Sequence, residues 1–149
     1  MFRFFPLTKQ YEWDWIDKRC YPIRDEYSSG VVAYDDFGKI AAIFVCDSFS
    51  MDSCGVHLAI DNPFVIRHGF LNESLNYIFN TRQRSRAFGL VPSDNEKAIK
   101  FNKHIGFKEV ARVPDGYATG IDYVVMRMDA NNNRWTTPVP QSIGVAANG

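Results

Sequence analysis

Apolar positions crowd together between residues 30 and 60, as GVVAY at 30–34, KIAAIFVCDSF at 39–49 and CGVHLAI at 54–60. Short runs rich in β-branched and aromatic residues, bounded by polar ones, predict strands, and DDFG at 35–38 predicts a tight hairpin turn between the first two. Three such strands in succession read as an antiparallel meander. At 71–80 the spacing changes: Leu71, Leu75, Ile78 and Phe79 fall at i, i+4, i+7 and i+8, the pattern of an amphipathic helix with one buried face. Arg82, Arg84 and Arg86 follow it and read as a solvated basic end, where cations favour a helix C-terminus.

The second half repeats the alternation of strand and helix. AFGLV at 87–91 predicts a short buried strand, and SDNE at 93–96 fits a capping box with Ser93 as N-cap and Glu96 three residues on. Ala98, Phe101 and Ile105 then form an inward helix face and Gly106 a C-terminal stop. FKEVARV at 107–113 and IDYVVMRM at 121–128 flank PDGYATG as a last hairpin. At the start, residues 2–7 read as a strand and 8–20 as a helix with Thr8 as N-cap, its Trp13 and Trp15 serving as core aromatics rather than a ligand-stacking pair. The order is strand, helix, three strands, helix, strand, helix and hairpin, so the fold class is α+β with one mixed sheet. Residues 1–129 form one domain, and the aperiodic, polar segment 130–149 reads as a tail.

Composition narrows the function. With 149 residues, 46% of them apolar, the chain is long enough to bury one core and too apolar to stay disordered. Lys plus Arg and Asp plus Glu both total 17, so no excess field draws the protein to a polyanion and no nucleic-acid partner is expected. Cys20, Cys46 and Cys54 are an odd number, read here as free thiols in a reducing compartment. Cys46, Cys54 and His57 match no common zinc spacing, so no metal is expected. MFRFFPLTKQ lacks the features of a signal peptide, and no apolar run reaches the ~20 residues of a membrane span, so a cytoplasmic location without membrane partners is expected.

Chemistry enters with NEKAIKFNKHIGFKEV at 95–110. Asn95, Ala98, Phe101, Gly106 and Phe107 stand at the matching positions of N-x-x-A-x-x-[FL]-Y-x-x-x-G-F, and on these residues the chain resembles the GCN5-related N-acetyltransferase family. Asp122 to Met126 resemble that family's closing hairpin. The resemblance implies a mixed, mostly antiparallel sheet flanked by helices, in which two parallel strands, here 54–60 and 87–91, splay apart. It also implies acetyl-CoA as cofactor. The pantetheine arm would pair with exposed backbone at Leu58 and Ile60, while the helix from 95 lies along it with Asn95, Ala98 and Phe101.

The family's pyrophosphate loop, Q/R-x-x-G-x-G/A, aligns with VIRHGF at 65–70 and departs from it. Val65 stands for Gln/Arg, His68 for the first Gly and Phe70 for the second; Arg67 and Gly69 remain nearby, and the resemblance makes Arg67, His68, Gly69 and Phe70 the loop that meets phosphate. Glycines serve such loops because backbone N–H groups must approach the phosphates closely. Asn102 occupies the place of the family's tyrosine, which protonates the departing thiolate. An amide donates a hydrogen bond but no proton, although a thiol of pKa near ~8.5 leaves as thiolate without help. The implied general base, which keeps the attacking amine neutral, is His57 on the fourth strand or Asp61 at its end. Strand alternation puts Cys54, Val56, Leu58 and Ile60 on one face and His57 on the other.

Two functions follow from the resemblance. The first is an acetyl-CoA-dependent N-acetyltransferase acting on a primary amine of a small molecule or protein. The second is the same fold without catalysis, a structural or interaction protein. The compact length and altered loop also resemble small acetyltransferase-like proteins of tailed phages, which implies a virion or assembly partner, or self-association, through the tail.

Overall fold

The computed structural model describes residues 1–137. A seven-stranded sheet runs through it in the order β1-β2-β3-β4-β5-β7-β6. Its strands are β1 (Arg3–Pro6), β2 (Ser29–Tyr34), β3 (Ile40–Asp47), β4 (Ser53–Ile60), β5 (Arg86–Pro92), β6 (Lys108–Ala118) and β7 (Ile121–Asp129). All neighbours pair antiparallel except β4 with β5, which are parallel. The expected meander is present, and its first turn closes as Asp35 Oδ1 accepts from the Phe37 and Lys39 N–H groups.

Helix α1 (Gln10–Asp17) lies on one face of the sheet, and α2 (Phe70–Asn76) and α3 (Glu96–Ile105) lie on the other. Strand periodicity sorts the side chains between these faces. Val32, Ile43 and Val45 turn toward Trp13 and Ile16 of α1. Val31, Ala33, Phe44, Val124 and Met126 turn toward Phe70, Leu71, Leu75 and Ile105. Trp13 is thus a core residue, and Trp15 packs against the edge of the same cluster while carrying the Arg19 guanidinium 3.5 Å from its ring centre.

Several boundaries differ from the sequence reading. α1 is capped at Lys9, not Thr8, because Glu12 reaches back from the first turn to accept the N–H groups of Thr8 and Lys9 at 3.1 and 2.8 Å. Buried Glu12 also accepts the Tyr34 hydroxyl, which anchors that cap to the sheet. The helix expected at 71–80 begins at Phe70 and ends in a π-helical turn, Tyr77–Thr81. Arg82 and Arg84 do not simply hang in solvent after it: Arg82 lies 4.0 Å above the Phe49 ring and donates to Ser29 Oγ, and Arg84 donates to the Ser50 carbonyl. β6 runs on to Ala118 through most of the expected loop, with its register broken between Val113 and Ala118. Asp115 makes this extension workable by accepting from the Gly120 N–H while its own N–H donates to Asp122 Oδ1.

The start of the tail folds back. Trp135 Nε1 donates to the Ile105 carbonyl at the end of α3, and Asn72 of α2 donates to the Trp135 carbonyl. The remainder of the tail, 138–149, lies outside the described residues. No described helix is long and apolar enough to cross a membrane.

Candidate active site

β4 and β5 pair only over Ser53–Gly55 against Arg86–Phe88. Beyond that point β4 follows β3 as far as Ile60, and β5 follows β7 as far as Pro92, so the two strands part and leave a gap in the sheet. A cavity of about 810 Å³ occupies it and reaches both faces. On the α3 side its wall includes Leu58, Asn95, Ala98, Phe101 and Asn102; on the α1 side it includes Cys20, Ile23, Asp47 and His57. The volume suits an extended small molecule.

His57 sits on the α1 face of β4 with Nε2 2.7 Å from Asp47 Oδ2. Asp47 ends β3, its side chain 2% exposed, and the same oxygen accepts the Ile23 N–H at 2.7 Å. Gly55 lies opposite Asp47, and a Cβ there would come within 2.7 Å of Asp47 Oδ1, so the glycine leaves room for the carboxylate. Burial works to raise the Asp47 pKa, but the bonds from His57 and the Ile23 N–H outweigh it and hold the carboxyl below its ordinary value. With Nε2–H donated to the Asp47 carboxylate, Nδ1 is the ring nitrogen left to take up a proton. A histidine oriented in this way at the edge of a gap has the geometry to accept a proton from a ligand there.

Two of the three thiols offer no competing nucleophile. Burial, with Asp17 and Asp47 nearby, pushes the Cys20 pKa up to about 12, and burial in the core raises Cys46 well above the ordinary thiol value. Both stay protonated near neutral pH, which disfavours an acyl-enzyme route through them.

The other residues singled out from sequence divide into two groups. Leu58, Asn95, Ala98, Phe101 and Asn102 line the cavity together with His57. Asn95 proves to be the N-cap of α3 itself, its Oδ1 accepting the Ala98 N–H at 3.1 Å, and its amide NH₂ remains for a ligand. This corrects the assignment of Ser93, whose hydroxyl instead accepts the Asp122 N–H and ties β7 to the end of β5. Ile60, Asp61 and residues 67–70 stand outside the cavity wall. Asp61 is held by Arg19 through two bonds, 3.1 and 2.8 Å, which compensate its charge and favour His57 as base. Residues Pro63–His68 form a 3-10 helix whose last turn is closed by Gly69 N–H donating to the Val65 carbonyl. His68 bonds the Phe64 carbonyl through Nδ1, Arg67 projects to solvent, and Gly69 takes a left-handed conformation with open space around its Cα. Phe70 is fully buried against Phe4, so its side chain leaves the loop clear and only its backbone N–H can face an anion.

Sequence reasoning passed over Asp47 and the tyrosines Tyr117 and Tyr123, which stack edge to face at 5.7 Å and line the α1-side mouth. For Asp47 the signal was present, an acid closing a strand one hairpin away from the histidine. The register that brings the two together was not.

At the sequence level no family model matches the chain, and no curated protein does. Solved structures do match. A spermidine/spermine N-acetyltransferase from Vibrio cholerae superposes with a TM-score of 0.68 at 13% identity, over 86% of this chain and 92% of that one. A ribosomal-protein-S5-alanine acetyltransferase from Vibrio fischeri gives 0.59 at 14%, over 74% and 64%. A putative phosphinothricin N-acetyltransferase gives 0.58 at 20%, over 73% and 75%. The chain shares their overall fold, that of the GCN5-related N-acetyltransferases.

Proposed function

We propose that the protein is an acetyl-CoA-dependent N-acetyltransferase acting on a primary amine. The observation that carries this reading is the cavity crossing the sheet at the β4–β5 gap, with an oriented histidine on one side and the α3 wall on the other. Acetyl-CoA would supply the acyl group, as a thioester, to this gap. The chain's residues fit its arm: parted strand backbone at 56–60 and 89–92 leaves amides for the pantetheine, the Asn95 NH₂ lies at the head of α3, and Ala98 and Phe101 give the arm an apolar wall. Arg67, His68, Gly69 and the Phe70 N–H would meet the pyrophosphate end. Asn102 would hold the departing sulfur by a hydrogen bond. His57, oriented by Asp47, would take the proton from the amine, and the carboxylate would stabilise the imidazolium that forms. The several N-acetyltransferases among the structural matches support the reaction class. A cytoplasmic site of action belongs to this reading.

One feature favours a second function. The segment at the phosphate position is a closed 3-10 helix rather than an open glycine loop, with Phe64 58% exposed on its surface. A fold retained as an interaction protein, in a phage particle or its assembly, would have such a loop. Titration calorimetry with acetyl-CoA, and with desulfo-coenzyme A to isolate the thiol end, separates the two. Binding near micromolar, ~8 kcal/mol, is expected. No heat at millimolar ligand would overturn the enzyme reading and turn the search to protein partners.

A further inference from the structure

The sheet face around His57 is only half covered. The buried cluster beneath α1 draws on β2 and β3, with Ala59 of β4 at its edge, and includes no residue of β5, β6 or β7. On those strands Ala87, Val91, Val124 and Met126 turn into the opposite core, so Phe88, Leu90, Tyr123 and Val125 must turn to the α1 side. All four line the cavity, beside the His57 imidazole. Leu90 is 58% exposed, at the point where β5 has parted from β4 and pairs with β7 alone. Across the mouth, Tyr21 and Ile23 on the connection after α1 are also exposed and line the same cavity. The tail is not their cover as far as Thr137, because it packs on the α2 and α3 side.

The charges around this mouth are already matched. Apart from His57, the charged side chains that line it are the base Arg19 and the acid Asp47; Arg19 is bonded to Asp61 and Asp47 to His57. A polyamine would find no uncompensated carboxylate among the described residues of the wall, and each of its ammonium groups would lose solvation without a partner. An apolar body would gain by covering Phe88, Leu90, Tyr123 and Val125.

We propose that the acceptor is a monoamine carried on an aromatic or branched aliphatic body, which lies on this face with its nitrogen beside His57. The proposal rests on the acetyltransferase reading and specifies its substrate class. In the transfer the nitrogen attacks the thioester carbonyl carbon; the C–N bond forms, the C–S bond breaks, its electron pair leaves with sulfur, and the proton lost by nitrogen passes to His57.

The test sets 2-phenylethylamine and isoamylamine against spermidine and lysine amide, with acetyl-CoA, and follows acetylated product. At least tenfold higher kcat/KM for the two apolar amines is expected. Leu90→Asp, an exposed position whose folding is checked by its melting curve, should cut that preference about tenfold while acetyl-CoA binding persists; Leu90→Ser should show a smaller loss in the same direction. Preference for spermidine or lysine amide, or an unchanged preference in Leu90→Asp, would overturn the proposal. Titration of 2-phenylethylamine into the protein, with and without coenzyme A, separates this proposal from the reaction itself. Where acetyl-CoA does not bind or nothing is acetylated, amine binding that Leu90→Asp weakens still supports the apolar acceptor face, and no binding, or binding indifferent to Leu90→Asp, overturns it.

Discussion

A histidine in a sheet is usually an ordinary surface residue; the buried carboxylate beside it sets His57 apart. The Asp47 pKa is lowered on balance, so the unfolded chain binds more protons than the folded one once pH drops to the ordinary aspartate value near ~3.9. The stability Asp47 contributes is therefore complete above that pH and fades as pH falls through the lower, folded value. Urea unfolding of Asp47→Asn should show a deficit at pH 7 that narrows by pH 3. Under the proposed mechanism, His57→Ala should lower kcat/KM about 10²–10⁴-fold with little change in acetyl-CoA affinity, the usual range for a lost general base. Asp47→Asn should lower kcat less and alter the pH profile, because an amide can also bond the opposite tautomer. Gly55→Ala reaches the same pair from the other strand: its Cβ would sit 2.7 Å from Asp47 Oδ1 and displace the carboxylate, so it should alter the pH profile while leaving both side chains chemically unchanged. His57 was legible as a candidate because histidine suits the chemistry. Asp47 was not, since an acid at a strand end resembles any turn residue until cross-strand register is known.

At the scale of elements, α3 shows what local pattern can and cannot settle. Its inward residues and its Gly106 stop were readable, and Gly106 does take φ 113°. The N-cap was misplaced: the capping-box pattern put it at Ser93, and Asn95 is as good a cap residue. A tertiary contact decides between them: the Ser93 hydroxyl is engaged by the Asp122 N–H of β7, two strands' worth of chain later, and Asn95 caps the helix. Asn95→Ala should cost about 1 kcal/mol of stability, within the usual range for a lost cap. Asn95→Ser keeps a capping oxygen but loses the NH₂ donor, so it should melt close to wild type and yet bind acetyl-CoA more weakly if the amide serves the pantetheine. Equal affinities for wild type and Asn95→Ser would assign the asparagine to the cap alone. Phe70 makes the complementary case. The motif alignment placed it on a phosphate loop, while its full burial against Phe4 makes it a core residue at the head of α2, and Phe70→Ala should destabilise by about 3–5 kcal/mol in denaturant.

At the scale of the whole molecule, the order of strands and helices followed from period and punctuation, but the feature that matters most is where pairing stops. Hydrophobic runs at 54–60 and 87–91 read as two buried strands; that they splay apart was implied by the family resemblance, and nothing in their composition says that they pair over Ser53–Gly55 before separating. That information lies in the register of β4 on β3 and of β5 on β7, which pulls the two strands toward different neighbours. Each parted strand consequently carries backbone groups on one edge that no partner strand takes, a costly arrangement in a sheet interior unless water or a ligand satisfies them. Hydrogen exchange should expose this directly. In the protein alone, amides of 56–60 and 89–91 that face the gap should exchange far faster than those of Val31–Tyr34 or Val124–Arg127, which sit between paired strands. Saturating acetyl-CoA should slow the gap amides on both strands at once, since an extended arm must bridge the two edges. Protection confined to 63–70 would instead mean that only the phosphate end engages, and that the gap serves some other ligand.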